Sequence, residues 1–275
     1  MRHKKINNSI QYGTNLLESR TIIIGASGEL GRALALVRAA RGDDILLLGR
    51  DRARLETTAA QCRDRGASRI EVGYIDLLNV GAARAALQAY DEAVPTQCLF
   101  IASGLGDIRA DGDLVEDAEP VERLGTVNYL GPTVIAAEIA KHMTRRGNGQ
   151  IALIGSAAGF HPLPFTIAYS ASKAGLARFA DALRVAVAPH GVSVTLASPG
   201  FISTAAARKV PGPKPFALDV DEAARRIVAA TDRGQAHLIT PWPFALIRLL
   251  ERALPRSLSD RLLRALAPKP VLPAD

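Results

Sequence analysis

The chain reads as an α/β protein built on one doubly wound parallel sheet of about seven strands, with helices on both faces. Three observations carry that expectation. Short apolar runs bounded by turn residues alternate with helix-length segments along the chain. The apolar share is 48% while aromatics supply only 5%, so the core must be filled mostly by Ala, Val, Ile and Leu, which suits parallel strands buried under Ala-rich helices. A length of 275 residues is enough for one large domain with its own core.

Each element follows from its own pattern. Residues 21–24 form a first apolar strand ending at Gly25, and residues 32–41 a helix closed by Asp43 and Asp44. Strands are predicted at 45–48, 70–75, 97–102, 151–154, 192–197 and 237–240, with helices at 51–65, 80–90, 169–188 and 222–231 between them. Residues 119–145 are a long helical region, expected to break near Gly131-Pro132 because proline lacks the N–H and disfavours helix before it. Residues 205–219, rich in proline, are expected to form a mobile loop. The result is a Rossmann-like sheet with ligands at the carboxyl ends of its strands. Residues 1–19 read as a flexible extension, 20–241 as the sheet domain, and 242–275 as an amphipathic helical extension.

The net charge of +7 sits mostly at the two ends, so the body lacks the basic stripe of a nucleic-acid binder, and nucleic acid is not an expected partner. Cys62 and Cys98 lie in separate elements with no metal-ligand spacing, which points to reduced thiols, no metal and a cytoplasmic setting. The first fifteen residues have basic side chains but no apolar run behind them, unlike a secretory leader. No run of 18 apolar residues is present to span a bilayer.

The glycine-rich turn Gly25-Ala26-Ser27-Gly28-Glu29-Leu30-Gly31 follows the first strand and opens the first helix. Glycines there allow a tight turn and close approach of backbone to a pyrophosphate, with free N–H groups at the helix start. The Glu29 carboxylate is expected to point to water from the first helical turn. After the second strand comes Gly49-Arg50-Asp51. Arg50 can grip a 2′-phosphate, whereas Asp51 can start the next helix, so NADP(H) is favoured over NAD(H).

Tyr169 and Lys173 are four apart in a predicted helix and share a face. An ammonium beside a phenol stabilises the phenolate and lowers its pKa, which suits a proton donor and acceptor. Ser156 ends the fifth strand at the ligand edge, and Asn128 lies in a helical stretch that disfavours Asn. Together these segments resemble the short-chain dehydrogenase/reductase family in its compact single-domain branch. The resemblance rests on GASGELG at 25–31, Asp76-Leu77, Asn128, Ser156, YSASK at 169–173 and SPGFIST at 198–204, with 28 residues from Asn128 to Ser156 and 13 from Ser156 to Tyr169.

The resemblance implies a carbonyl reductase-like oxidoreductase. Tyr169 would be the acid/base, Lys173 would lower its pKa and bind the nicotinamide ribose, Ser156 would orient the carbonyl, and Asn128 would complete a proton relay. Gly25, Ala26, Ser27, Gly28, Leu30 and Gly31 would cradle the pyrophosphate. Asp76 and Leu77 would meet adenine, Ala102 and Gly104 would line the cofactor, and Pro199, Gly200, Ile202 and Thr204 would hold the nicotinamide end. Homo-oligomers through the central helices are a further implication. Two departures stand out. Glu29 replaces the family's middle glycine, and Ile101-Ala102-Ser103-Gly104 replaces its Asn-Asn-Ala-Gly. They motivate the alternative of a catalytically idle NADP-binding sensor or scaffold.

Leu105, Phe160, His161, Leu163, Phe165 and Phe201 are expected to line an apolar pocket for a small-molecule or lipid-linked carbonyl substrate. In the C-terminal segment, Leu246, Ile247, Leu250 and Leu254 share one helical face, with Leu249 and Trp242 at its margin. Leu258, Leu262, Ala265 and Leu266 share a second. These faces are expected to pack on protein, with peripheral contact to an anionic membrane as the competing reading.

Overall fold

The computed structural model describes residues 20–106, 115–209 and 213–266. The expected flexibility of residues 1–19 lies outside that range. Seven parallel strands form one sheet in the order β3-β2-β1-β4-β5-β6-β7. They are β1 (Arg20–Ile24), β2 (Asp44–Gly49), β3 (Arg69–Tyr74), β4 (Thr96–Ile101), β5 (Gly149–Ile154), β6 (Val192–Pro199) and β7 (His237–Thr240). The order reverses between β1 and β4, where a doubly wound sheet opens a ligand crevice.

Helices α1 (Glu29–Ala39), α2 (Arg52–Asp64), α3 (Val80–Ala93), α4 (Ala118–Gly125), α5 (Gly131–Arg146) and α6 (Ile167–Val187) follow in chain order, then α7 (Ala205–Lys209), α8 (Val220–Asp232), α9 (Pro243–Ala253) and α10 (Arg256–Leu266). The period-two alternation of each strand sorts its side chains onto two cores. Ile22, Leu46, Leu99, Ile151 and Val194 meet Leu87 of α3, Ile135 of α5 and Leu176 of α6. Ile23, Leu47, Phe100 and Ala152 meet Leu34 of α1, Leu55 of α2 and Ile227 of α8. Both cysteines are buried and free, and burial pushes the Cys62 thiol up to about 11 and Cys98 to about 12.

Three expectations are corrected. The long helix does not simply break at Gly131-Pro132. It passes through a π-helical turn, Thr126–Leu130, and Pro132 sits in the first turn of α5, where its missing N–H costs nothing. The segment 205–219 is not a loop throughout, because residues 205–209 are helical and Leu218 bridges Ile202. Finally, the apolar face of α9 does not pack on the domain. Phe244 and Arg248, four apart, turn inward, while Leu246, Ile247, Leu249 and Leu250 are exposed. Phe244 occupies the space a side chain on Gly200 would need, and Arg248 stacks on the Phe160 ring with its guanidinium carbon 4.4 Å from the centroid.

The ends of α3 and α5 are joined through a buried carboxylate. Asp91, 3% exposed, accepts both Arg146 guanidinium nitrogens at 2.7 and 3.1 Å, the Thr96 N–H at 2.8 Å and a bond from His142 Nδ1 at 2.7 Å. Burial would raise its pKa, but these partners outweigh it and hold the carboxyl below its usual value. Such a group contributes stability above the unfolded carboxylate pKa and loses it as pH falls through the folded one. Asp91→Asn is expected to cost about 3 kcal/mol at neutral pH by urea unfolding, with the gap from the parent protein narrowing in strong acid.

Candidate functional site

The loops after β1, β4, β5 and β6 meet at the carboxyl edge of the sheet. Gly25 leaves β1 with φ +87°, and a Cβ there would fall 2.6 Å from the Ser103 nitrogen in the segment after β4. A Cβ on Gly31 would collide with the Gly25 carbonyl. The turn itself therefore demands both glycines. Gly28 differs, since a Cβ there would meet only the Gly25 oxygen at 3.4 Å. It is the exposed N-cap of α1, with no side chain satisfying the N–H groups that follow. Backbone open to solvent at a helix start is what an anionic pyrophosphate requires.

The Glu29 carboxylate, expected to point to water, is partly exposed and also has a protein partner. Its Oε1 accepts the Ala205 N–H at 2.6 Å, at the start of α7, so the charge is held by a partner 176 residues away. Ala26 is fully buried. Ser27 Oγ lies beside Gly49, where a Cβ would be 3.1 Å from it, and Leu30 packs against the core on the α1 side of the sheet. Arg50 is exposed just past β2 and makes no ion pair among the described residues. Asp51 caps α2 by accepting the Arg54 N–H at 3.1 Å, as one of its two sequence readings anticipated. Asp76 Oδ1 accepts the Leu78 N–H at 3.0 Å, and Leu77 is buried next to Gly131.

After β4, the Ala102 N–H continues the pairing onto the Ile24 carbonyl at 2.9 Å. Ser103 Oγ is buried with no hydrogen-bond partner among the described residues. That orphaned hydroxyl and the open backbone at Gly28 are features a bound dinucleotide would satisfy. Past β6, Gly200 donates to the Thr240 carbonyl at 2.8 Å, the Ile202 carbonyl accepts the Thr204 N–H at 2.8 Å, and Thr204 Oγ1 accepts the Ala207 N–H at 3.1 Å. Pro199 is the last residue of β6.

The four residues picked for chemistry converge. Asn128, in the π turn, is fully buried, and its amide closes a two-way bond with Leu105: Oδ1 accepts the N–H at 2.7 Å and Nδ2 donates to the carbonyl at 2.9 Å. Lys173, 4% exposed, donates from Nζ to the Ile154 carbonyl at the end of β5, at 2.9 Å. A Cβ on Gly104 would lie 3.4 Å from Asn128 Oδ1 and 3.6 Å from Lys173 Nζ, so Gly104 sits between the two polar heads. The Tyr169 ring lies 5.8 Å from Lys173 Nζ, and Ser156 is near enough to the phenol to act on its pKa. Ser156 Oγ also accepts the Ala158 N–H at 3.1 Å.

The electrostatics differ from the expectation for Tyr169. Burial raises its pKa, and Ser156 opposes that rise. Burial also pulls Lys173 down to about 8. The causes that act on the phenol are burial and Ser156, and Lys173 is not among them.

Several contributors escaped the sequence reading. Glu116, buried, accepts the Ala168 N–H at 3.1 Å and so fixes the first turn of α6, just before Tyr169. His237 contacts Ser198 Oγ at 2.9 Å and Arg248 at 3.2 Å. None of these pairs is close in sequence, so no spacing could reveal them. His161 is pushed down by burial first and by Arg248 second. A separate cavity of about 790 Å³ involves Phe160, Arg178, Arg248 and Ser259 and excludes Ser156, Tyr169 and Lys173.

An all-parallel sheet with a glycine turn under α1 and a polar cluster at its carboxyl edge defines a nucleotide-binding α/β protein. The family model described as short chain dehydrogenase matches residues 19–214, and the chain belongs to that family of oxidoreductases. An uncharacterized oxidoreductase of Myxococcus xanthus is 30% identical over 89% of this chain and 96% of its own length. An 11-beta-hydroxysteroid dehydrogenase-like 2 of Arabidopsis thaliana is 30% identical over 88% of this chain and 79% of its own. A short-chain dehydrogenase from Sphingobium yanoikuyae, solved in complex with NADPH, superimposes with a TM-score of 0.74 at 26% identity, covering 94% of this chain and 99% of that one.

The glycine geometry separates folding from binding. Gly28→Ala should leave thermal stability near that of the parent while weakening nicotinamide dinucleotide binding at least about tenfold by fluorescence titration. Gly31→Ala should instead destabilise the fold by about 1–3 kcal/mol, because its neighbour is backbone that cannot move aside.

Proposed function

We propose that this chain interconverts a ketone and a secondary alcohol using NADP(H), with Tyr169 as general acid and base. The observation that carries the reading is the meeting of the Tyr169 hydroxyl, the Ser156 hydroxyl and the buried Lys173 amine at the end of β5. Ser156 Oγ accepts the Ala158 N–H, so its one hydrogen is left to turn between the Tyr169 oxygen and a substrate oxygen. Tyr169 holds the proton that this oxygen takes up. A phenol is protonated at neutral pH, the state that ketone reduction needs, and burial raises its pKa further. One of the three Lys173 donors is spent on Ile154, leaving two to orient a ribose or to stabilise the phenolate after proton transfer. Asn128 acts as a positioning residue by locking the segment after β4 through Leu105.

The nicotinamide, when bound, supplies the hydride. The turn from Gly25 to Gly31 would hold its pyrophosphate and Arg50 its 2′-phosphate. Asp76 and Leu77 would lie at adenine, Ala102 and Gly104 along the cofactor, and Pro199, Gly200, Ile202 and Thr204 at the nicotinamide end. NADP(H) is preferred to NAD(H) because Arg50 has no ion pair among the described residues while Asp51 is committed to capping α2. The NADPH in the Sphingobium yanoikuyae structure accords with that choice. An apolar ketone, small or lipid-linked, is the substrate class we propose.

Tyr169→Phe should lower kcat by at least about a thousandfold in NADPH-dependent ketone reduction while NADPH binding is retained. Turnover near the parent rate in that variant would refute the assignment. Arg50→Ala should raise KM for NADPH by about ten- to a hundredfold and leave KM for NADH nearly unchanged, since only the former loses a charged hydrogen bond.

A further inference from the structure

The hairpin of α9 and α10 has its amphipathicity turned outward. Helix α9 is held to the domain by Phe244 and Arg248, and α10 turns Leu263 and Ser259 inward, again four apart. Facing away are Leu246, Ile247, Leu249 and Leu250 on α9 and Leu258 and Leu262 on α10, with Trp242, 72% exposed, ahead of them. On the domain side of α9 the inward Phe244 ring meets Phe201 and Phe216 edge-on at 6.2 and 6.4 Å, and those two rings are themselves exposed. Apolar side chains at such density are uncommon on a surface that meets only water.

The charges beside this ridge are mostly positive. Residues 242–266 contain Arg248, Arg252, Arg256, Arg261 and Arg264 against Glu251 and Asp260. Arg256, Arg261 and Arg264 are exposed on α10. A second copy docking here about a twofold axis would set this net positive segment against itself. Residues 1–19 are mostly polar, with Arg2, Lys4 and Lys5, and offer little apolar surface to cover the ridge. An anionic lipid surface meets both demands, taking the leucines and tryptophan at the acyl boundary and the arginines at the phosphates. No helix among the described residues is long and apolar enough to cross a membrane, so the contact lies in the plane of the interface.

We propose that the α9–α10 hairpin docks this protein on anionic membranes, with Trp242, the α9 leucines and Leu258 and Leu262 inserted and the α10 arginines on the headgroups. The inference rests on the hairpin alone and stands apart from the chemistry proposed for Tyr169. The full chain should float with phosphatidylglycerol-rich vesicles at least about tenfold more than with pure phosphatidylcholine vesicles, and raised salt should weaken the binding. The double variant Leu246→Glu with Leu250→Glu changes only exposed positions. It should lose flotation while keeping its thermal stability. Arg256→Gln with Arg264→Gln should lose the preference for anionic vesicles. Failure of the full chain to float with anionic vesicles at low salt would overturn the proposal. So would sedimentation showing a dimer that the Leu246→Glu, Leu250→Glu variant splits, or flotation that this variant leaves intact.

Discussion

The bond from the Lys173 ammonium to the Ile154 carbonyl organises the rest of the site. It ties α6 to the carboxyl end of β5, where the strand runs out into Ser156. Because Lys173 is 4% exposed, its charge must find partners inside the protein, and burial lowers its pKa toward 8. Tyr169, one turn earlier on α6, is thereby held on the side of the helix that faces Lys173 and the end of β5. The start of that helix is held separately, by the buried Glu116 on the Ala168 N–H. Anchored at its first turn and at Lys173, α6 leaves Tyr169 little freedom. Such rigidity is what proton transfer in a fixed geometry requires.

A second set of contacts connects the two halves of the sheet edge. Glu29, in the turn after β1, holds the first N–H of α7 beyond β6. Asn128 uses a π turn to turn its amide onto Leu105 after β4. A π turn costs helix hydrogen-bond geometry, and such turns recur at functional sites. Both contacts involve segments where the sequence departs from the family pattern. The carboxylate that replaces a glycine becomes a strut between loops, and the segment lacking two asparagines is held by a third from a different element.

The fold was legible because strand and helix periods are local properties of the chain. All seven strands, the glycine turn and the Tyr169–Lys173 pair could be placed from spacing alone. The π turn was not, because nothing local to Thr126–Leu130 marks an extra residue per turn, and Asn128 meets Leu105 only in the folded chain. The same holds for α9. Its apolar stripe was clear in the sequence, but the side it would turn toward the domain was decided by Phe244 filling the space above Gly200 and by Arg248 stacking on Phe160.

By itself, the order of residues determined the parallel sheet, the place of the glycine-rich turn and which side chains share a helical face. These follow from backbone periodicity, from the φ that glycine permits and from the limits proline sets. The tertiary structure alone decided the protonation balance at Tyr169 and Lys173, the partner of Glu29 and the outward direction of the C-terminal leucines. Desolvation and contacts between distant residues exist only once the chain has closed around them.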